Sequence, residues 1–482
     1  MIYKRSALLN GVVWSAIDKF GIVAAQLILE VVLARLLLPS DYGAMGMVAI
    51  FIAIGQVFTD GGFSNALIQK KDRTEIDFST VFFFSLLVSS LIYFLIYLAS
   101  PLIAGFYELP LLEDIIKVLG LTIIANSLIL IHRTKLNIAL NFKVQAKFSL
   151  LAVVISGIIG LYLAWNGHGV WSLVYQSLSL SILNVVFFWA RLRWVPKLIF
   201  SKRSFDELFY FGSKLLVAAL LQAIYNNSYA MLIGKKLSAR DLGVYTKSNQ
   251  FTLMPVSMLT SVIQRVIYPF MTTTQDDDDK LFIISQSYTK LVALTVFPIF
   301  LTVAVLAKPL VNVVFTEKWD EMAPVLRILA ISYMFYPIII NNMFLFQVKN
   351  KTGLFLKIEI ITKITGIIIL LASFKFGLEA MCVGLLIQQL LQLFITSSHS
   401  SRLLKKPAFS QLLILTPFLA FSSFTFFSGL LILYFIDNYY LQLLFGFGGI
   451  SLGYFIYYYF FIREELSSLL GLFKKTDEHV DI

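Results

Sequence analysis

One cysteine, four histidines and very little charge set the first limits on this chain. Cys382 stands alone among 482 residues, so neither an intrachain disulfide nor a multi-thiolate metal site can form. His132, His168, His399 and His479 are scattered, with no metal-ligand spacing between them. No metal and no cofactor is expected. The chain has no Gly-Lys-Ser/Thr phosphate loop, which excludes ATP hydrolysis by this protein on its own. Only 14% of the residues are charged, where a soluble domain carries roughly 25%. The net charge of +11 is spread through short polar segments rather than gathered on one soluble face, which excludes a nucleic-acid partner.

What is present is apolar sequence, 58% of the residues with a mean hydropathy of +0.82. It falls into blocks of about twenty residues, the length of a helix that spans hydrocarbon. The alternation of a membrane barrel is not seen. The blocks lie at 10–35, 43–68, 79–104, 114–139, 146–165, 170–190, 210–234, 244–270, 282–306, 323–346, 353–373, 377–397, 410–435 and 440–462. The fold class is therefore all-α, a polytopic membrane protein of about fourteen transmembrane helices. The first block is too long for a secretory signal and carries Asp18 and Lys19 in mid-span, so it is expected to be retained.

With the N-terminus placed in the cytoplasm, the inside segments hold twenty-four lysines and arginines and the outside segments eight. The bias predicts that both termini are cytoplasmic and that the basic loops face anionic membrane lipids. Sliding the chain against itself by two hundred residues brings Arg35-Leu36-Leu37-Leu38-Pro39-Ser40-Asp41-Tyr42-Gly43 over Lys235-Lys236-Leu237-Ser238-Ala239-Arg240-Asp241-Leu242-Gly243. The Asp-x-Gly in each copy suits a turn that restarts a helix. A slightly larger offset aligns Gly167-His168-Gly169-Val170 with Lys375-Phe376-Gly377-Leu378. These matches predict two six-helix lobes of equal orientation, 1–195 and 210–400, as in transporters built from parallel repeats. A basic, aromatic linker at 196–209 suits the cytoplasmic interface. Residues 401–465 form an appended pair of spans, and 466–482 a cytoplasmic tail.

The segment Ala34 to Gly43 and the run Phe58-Thr59-Asp60-Gly61-Gly62-Phe63-Ser64-Asn65-Ala66-Leu67-Ile68-Gln69-Lys70-Lys71-Asp72 resemble the Wzx-type lipopolysaccharide and exopolysaccharide flippases, in the branch of the colanic acid exporters. Gly167-His168-Gly169-Val170-Trp171-Ser172-Leu173-Val174 and Leu232 to Leu237 with Asp241-Leu242-Gly243-Val244-Tyr245 are similar to that branch as well. The resemblance runs from about residue 5 to residue 400. It implies the fold of the multidrug/oligosaccharidyl-lipid/polysaccharide exporters (MATE-like), two six-helix bundles in a V that expose a cavity alternately to each side. It also implies a bacterial inner-membrane flippase that is not an enzyme. Its cargo would be an undecaprenyl-pyrophosphate-linked oligosaccharide, and polysaccharide polymerases and glycosyltransferases would be its partners.

Charges inside spans are costly and normally face a cavity or a partner. In the first span Ser15, Lys19, Gln26 and Glu30 share a stripe with Asp18 at its edge; in the seventh, Lys214, Gln222, Tyr225 and Tyr229 do, with Asn226 beside them. Gln56, Asp60 and Ser64, then Gln250, Ser257, Ser261, Gln264 and Arg265, follow in the next span of each half. Lysine and arginine suit a diphosphate, and amides and tyrosine suit sugar hydroxyls. The competing reading is that these groups satisfy one another between packed helices. Asp18, Glu30, Asp60, Glu359 and Glu379 are candidates for coupling to protons or sodium. Asp276 to Asp279 reads as a solvated acidic face, and the glycines from Gly446 to Gly453 as helix packing. Two rivals remain, a cation-coupled drug antiporter of the same superfamily and a membrane glycan polymerase or ligase. The second lacks a long outside loop to carry catalytic groups.

Overall fold

The computed structural model describes residues 5–459, apart from the side chains of residues 5–20 and 262–266. Asp18, Lys19, Gln264 and Arg265 therefore lie outside the described residues. The chain forms two compact units, one up to Thr246 and one from Lys247. The first contains α1 (Arg5–Leu36), α2 (Pro39–Asp60), α3 (Phe63–Gln69), α4 (Glu75–Tyr107), α5 (Leu111–Ile138), α6 (Phe142–Trp165), α7 (Val170–Leu192), α8 (Lys202–Lys236) and the opening turns of α9 (Ala239–Thr273). The second contains the rest of α9, then α10 (Asp278–Val305), α11 (Ala307–Val314), α12 (Met322–Tyr333), α13 (Tyr336–Val348), α14 (Thr352–Ser373), α15 (Leu378–Leu403), α16 (Ser410–Tyr434) and α17 (Tyr439–Tyr457).

Each apolar block of the sequence falls on one helix or on a pair. The block at 43–68 bends where Gly61 and Gly62 take positive φ (54° and 74°) and separate α2 from α3. The block at 323–346 breaks between α12 and α13, where Pro337 occupies the first turn of the new helix. Among the described residues eleven spans are long and apolar enough to cross a membrane, against the fourteen expected. One shortfall has a plain cause: Lys357, Glu359 and Lys363 fall within any stretch of α14 long enough to span.

Capping fixes where the helices of the first unit begin. Thr74 and Asp77 close a reciprocal box at the start of α4, Thr74 N donating to Asp77 Oδ2 at 2.7 Å and Asp77 N to Thr74 Oγ1 at 3.4 Å. Asp77 also accepts from Lys70 at 3.1 Å, and Lys70 bridges on to Glu207 of α8 at 2.9 Å. Below these charges Phe63, Leu67, Phe78, Phe82, Ile131 and Leu208 form a buried cluster, with Phe63 edge-to-face on Phe84 at 5.1 Å. Ser201 caps α8 at the Ser204 N–H. Residues 202–209, expected within the interfacial linker, are the first turns of this one continuous helix. The rest of the linker and the residues just before it are tied to α4: Trp194 Nε1 donates to Glu75 at 2.7 Å and Lys197 N to Ser79 Oγ at 3.0 Å.

Asp77 is 1% exposed and serves both the cap and Lys70. Asp77→Ala is expected to cost about 3 kcal/mol, because it leaves a partly buried ammonium with one partner fewer. Thermal unfolding in detergent checks this: the midpoint falls for alanine and recovers in part for Asp77→Asn, which keeps an acceptor for the Thr74 N–H.

In the second unit a chain of buried hydrogen bonds ties α16 to its neighbours. Gln411 donates to Ser285 Oγ at 3.3 Å and accepts from Ser400 at 3.1 Å; Asn341 donates to Ser285 at 3.0 Å and Asn342 to Ser397 at 2.9 Å. Every partner in that chain is a hydroxyl or an amide, which avoids the cost of an unpaired polar group in hydrocarbon. Asp276 to Asp279 corrects an expectation, because the run is not merely a solvated face. Asp277 caps α10 at the Lys280 N–H (3.0 Å), Asp278 bridges Lys349 (2.8 Å) and Lys405 (3.0 Å), and Asp279 bridges Lys406 (2.6 Å). The Asp278 carboxylate in turn holds the Lys405 ammonium above its usual range.

Candidate transport site

The polar residues singled out in the sequence separate into groups with different surroundings. The turn between α2 and α3 brings one group together. A Cβ on Gly62 would meet the Gly212 carbonyl oxygen, and one on Gly212 would meet that of Gly61 at 2.7 Å. Glycine on both sides thus lets α8 press against the turn. Beside this contact lies a cavity of about 230 Å³ lined by Gln56, Val57, Asp60, Gly62 and Asn65 and, from α8, Leu215, Leu216 and Ala219. Asp60 accepts the Ser64 hydroxyl at 2.5 Å.

The α8 stripe is present as read. Lys214 is exposed, its ammonium 4.3 Å from the centre of the Tyr210 ring. Gln222 and Asn226 are exposed one turn apart and joined by a 2.7 Å hydrogen bond, and Tyr225 is half-buried between them. Tyr229 stacks on Tyr245 at 6.1 Å. On α1, Gln26 is half-buried, and the Glu30 carboxyl lies near the buried Tyr42 of the first Asp-x-Gly motif. Glu359 is ion-paired with Lys363 at 3.0 Å on the same helix, and Glu379 sits in the first turn of α15.

Gln250 has a neighbour that the sequence reading placed elsewhere. Lys247, although inside the 244–270 block, was one of the eight basic residues counted with the outside segments; it is 2% exposed within α9 and donates to Gln250 at 3.1 Å. The signal was available, because Asp241 marks a helix that begins at Ala239, which places Lys247 two turns inside it. Asn249, one residue before Gln250, accepts the Tyr333 hydroxyl at 2.6 Å.

The duplicated motif has the most constrained packing of the first unit. Asp41 accepts the Leu38 N–H at 2.9 Å, and Asp241 pairs with Ser238, so each aspartate closes the first turn from its third position rather than from the cap. Gly43 faces Ala239 and Gly243 faces Pro39, and in both cases a Cβ would collide with the facing carbonyl oxygen. The two copies therefore cross backbone to backbone and in reciprocal fashion. Gly446 also fits the packing reading, since a Cβ there would strike Leu306.

Comparisons with known proteins agree with this architecture. The model of a family described as polysaccharide biosynthesis protein matches residues 32–324. The chain is 26% identical to the teichuronic acid biosynthesis protein TuaB of Bacillus subtilis (strain 168) over 326 residues, 67% of this chain and 68% of that one. It is 24% identical to the lipopolysaccharide biosynthesis protein WzxC of Escherichia coli (strain K12) over 335 residues, 68% of this chain and 67% of that one. Among solved structures it shares the fold of the lipid II flippase MurJ in an inward closed conformation. The TM-score is 0.74 at 16% identity, covering 94% of this chain and all of that one.

Proposed function

From the premise that this chain belongs to the polysaccharide biosynthesis protein family, we propose that it carries a lipid-linked oligosaccharide, joined through pyrophosphate to undecaprenol, from the inner to the outer leaflet of the bacterial cytoplasmic membrane. The observation that carries the reading is the α8 stripe: a lysine, two amides and a tyrosine presented along a helix whose other exposed residues include Val217, Leu221 and Ile224. A diphosphate cannot cross hydrocarbon unaided, and Lys214 supplies one positive charge for it. Gln222, Tyr225 and Asn226 supply donors and acceptors for sugar hydroxyls. On α1, we assign a second positive charge to Lys19 and a polar contact to Gln26. Chemistry on the cargo is left to glycosyltransferases and a polymerase acting before and after it.

The drug-antiporter alternative rests on carboxylates, and their surroundings favour it less. Glu30 lies near Tyr42 and Glu359 is paired with Lys363; of the described candidates we assign ion coupling to Asp60, which lines a small cavity. The basic bias of the loops places both termini in the cytoplasm. The test is loss of the gene in a strain that makes the glycan. Lipid-linked saccharide is expected to accumulate, reachable by enzymes only from the cytoplasmic side. Accumulation on the outer side would assign the protein to a later step.

A further inference from the structure

The first unit holds another cavity, of mixed lining, that none of the roles above uses. It lies between α2, α5 and α7, has a volume of about 380 Å³, and its walls differ in chemistry. The α2 wall is Met45, Ala49, Ile52 and Ala53, an apolar stripe at helical spacing. The opposite wall carries Thr122 and Asn126 of α5 with Ser177 and Ser181 of α7, between Leu119 and Leu180, and the lining has no formal charge. Thr122 donates to its own helix at 2.6 Å. Asn126, Ser177 and Ser181 have no hydrogen-bond partner among the described residues. One turn beyond Ser181 on the same face of α7, Asn184 is 6% exposed, and its Oδ1 also lacks a partner among them. Leaving several hydrogen-bonding groups unsatisfied in the interior of a membrane bundle costs a few kcal/mol unless something occupies the space.

We infer that this cavity seats a neutral sugar ring of the lipid-linked glycan. The inference rests on the transport reading above and adds a subsite to it. A pyranose presents C–H bonds on its faces and hydroxyls around its rim, which matches an apolar α2 wall opposite a wall where hydroxyls and an amide stand between two leucines. The volume falls within the range of small-ligand pockets, about 300–1,000 Å³, in which a few placed polar groups fix orientation. A monovalent cation fits less well, because no carboxylate lines the space and one wall is wholly apolar.

The test is protection of an introduced thiol. Ser177→Cys changes one atom and places a reactive group on the polar wall, while Gln222→Cys reports on the α8 stripe. Cys382 is fully buried, so the parent chain gives the background. The full-length protein in lipid nanodiscs is labelled with a small uncharged thiosulfonate. The probe is a solvent extract of lipid-linked saccharide from cells lacking this protein, compared with the same extract after mild acid has cleaved the sugar from pyrophosphate. Titrated to saturation, the intact extract is expected to slow labelling at position 177 about tenfold, since only unoccupied protein reacts, and the acid-treated extract to leave it unchanged. Protection at 222 without protection at 177 overturns the subsite and leaves the transport reading standing. Protection at neither position overturns both. Protection at 177 by sodium chloride alone assigns the cavity to a cation and overturns the sugar.

Discussion

Valine in place of Gly43 or Gly243 is expected to abolish surface display of the glycan and to lower the yield of folded protein. At both positions the obstacle is a main-chain carbonyl of the facing helix, Ala239 for Gly43 and Pro39 for Gly243. A backbone oxygen cannot rotate away as a side chain can, so the two helices must separate. Overpacking of an ordinary core costs about 1–3 kcal/mol, and these sites belong at the upper end of that range or beyond it. Alanine should already be harmful, and the double alanine variant worse than either single, because the contact is reciprocal. Gly105→Ala in α4 and Gly448→Ala in α17 are the matched controls. A Cβ there meets nothing within 4 Å, and alanine adds about 1 kcal/mol of helix preference. Thermal unfolding and quantitative surface staining at equal membrane level separate the two sets. Normal display by Gly43→Val would mean that the crossing of α2 and α9 is looser than described.

The same motif shows how much of the molecule could be read from its residues. The pairing of Asp41-Tyr42-Gly43 with Asp241-Leu242-Gly243 was legible as a repeat, and so was a helix start at each copy, but not that each aspartate acts from the third helical position instead of the cap. That the two copies would meet each other was not, because the contact joins residues two hundred positions apart and nothing local encodes it. Helix positions were legible since span length is set by hydrocarbon thickness. The break at Gly61-Gly62 had a signal, a glycine pair after Asp60 that was read as part of one span, whereas the break before Tyr336 sits in an apolar run marked only by Pro337. The α8 stripe could be read from periodicity alone. Lys247 was misplaced because a lysine near a turn was counted with the loop, and the α2–α5–α7 cavity was missed because its serines and one asparagine are indistinguishable in sequence from residues that pair between helices. The ion pairs of Asp278 with Lys349 and Lys405 were missed for the same reason as the glycine crossing.

Replacing both Lys19 and Lys214 with alanine is expected to abolish surface glycan while leaving protein level and membrane insertion intact. Lys214 is exposed and, among the described residues, is held by the Tyr210 ring, a contact worth about 0.5–1 kcal/mol at exposed sites, so removing it does little to the fold. Its loss leaves the diphosphate without compensation along the polar stripe, where an uncompensated charge costs several kcal/mol. Arginine at either position should retain partial function, because charge is kept while the geometry of its donors changes. Gln222→Leu, Asn226→Leu should weaken transport without abolishing it, since the role proposed for those groups is contact with sugar hydroxyls rather than with the charge. Full display by the double lysine variant at normal expression would remove both lysines from the mechanism and leave the family assignment untouched.

The central claim is transbilayer movement of a lipid-linked saccharide, and reconstitution measures it without the rest of the pathway. Purified protein is placed in liposomes loaded with a fluorescent undecaprenyl-pyrophosphate oligosaccharide, and a membrane-impermeant quencher reads the fraction exposed on the outside. The account predicts that the protein renders the inner-leaflet pool accessible over time, that empty liposomes do not, and that the Lys19→Ala, Lys214→Ala variant behaves like empty liposomes. An inner-leaflet pool that stays protected in the presence of folded, wild-type protein, with or without an imposed proton or sodium gradient, would contradict it.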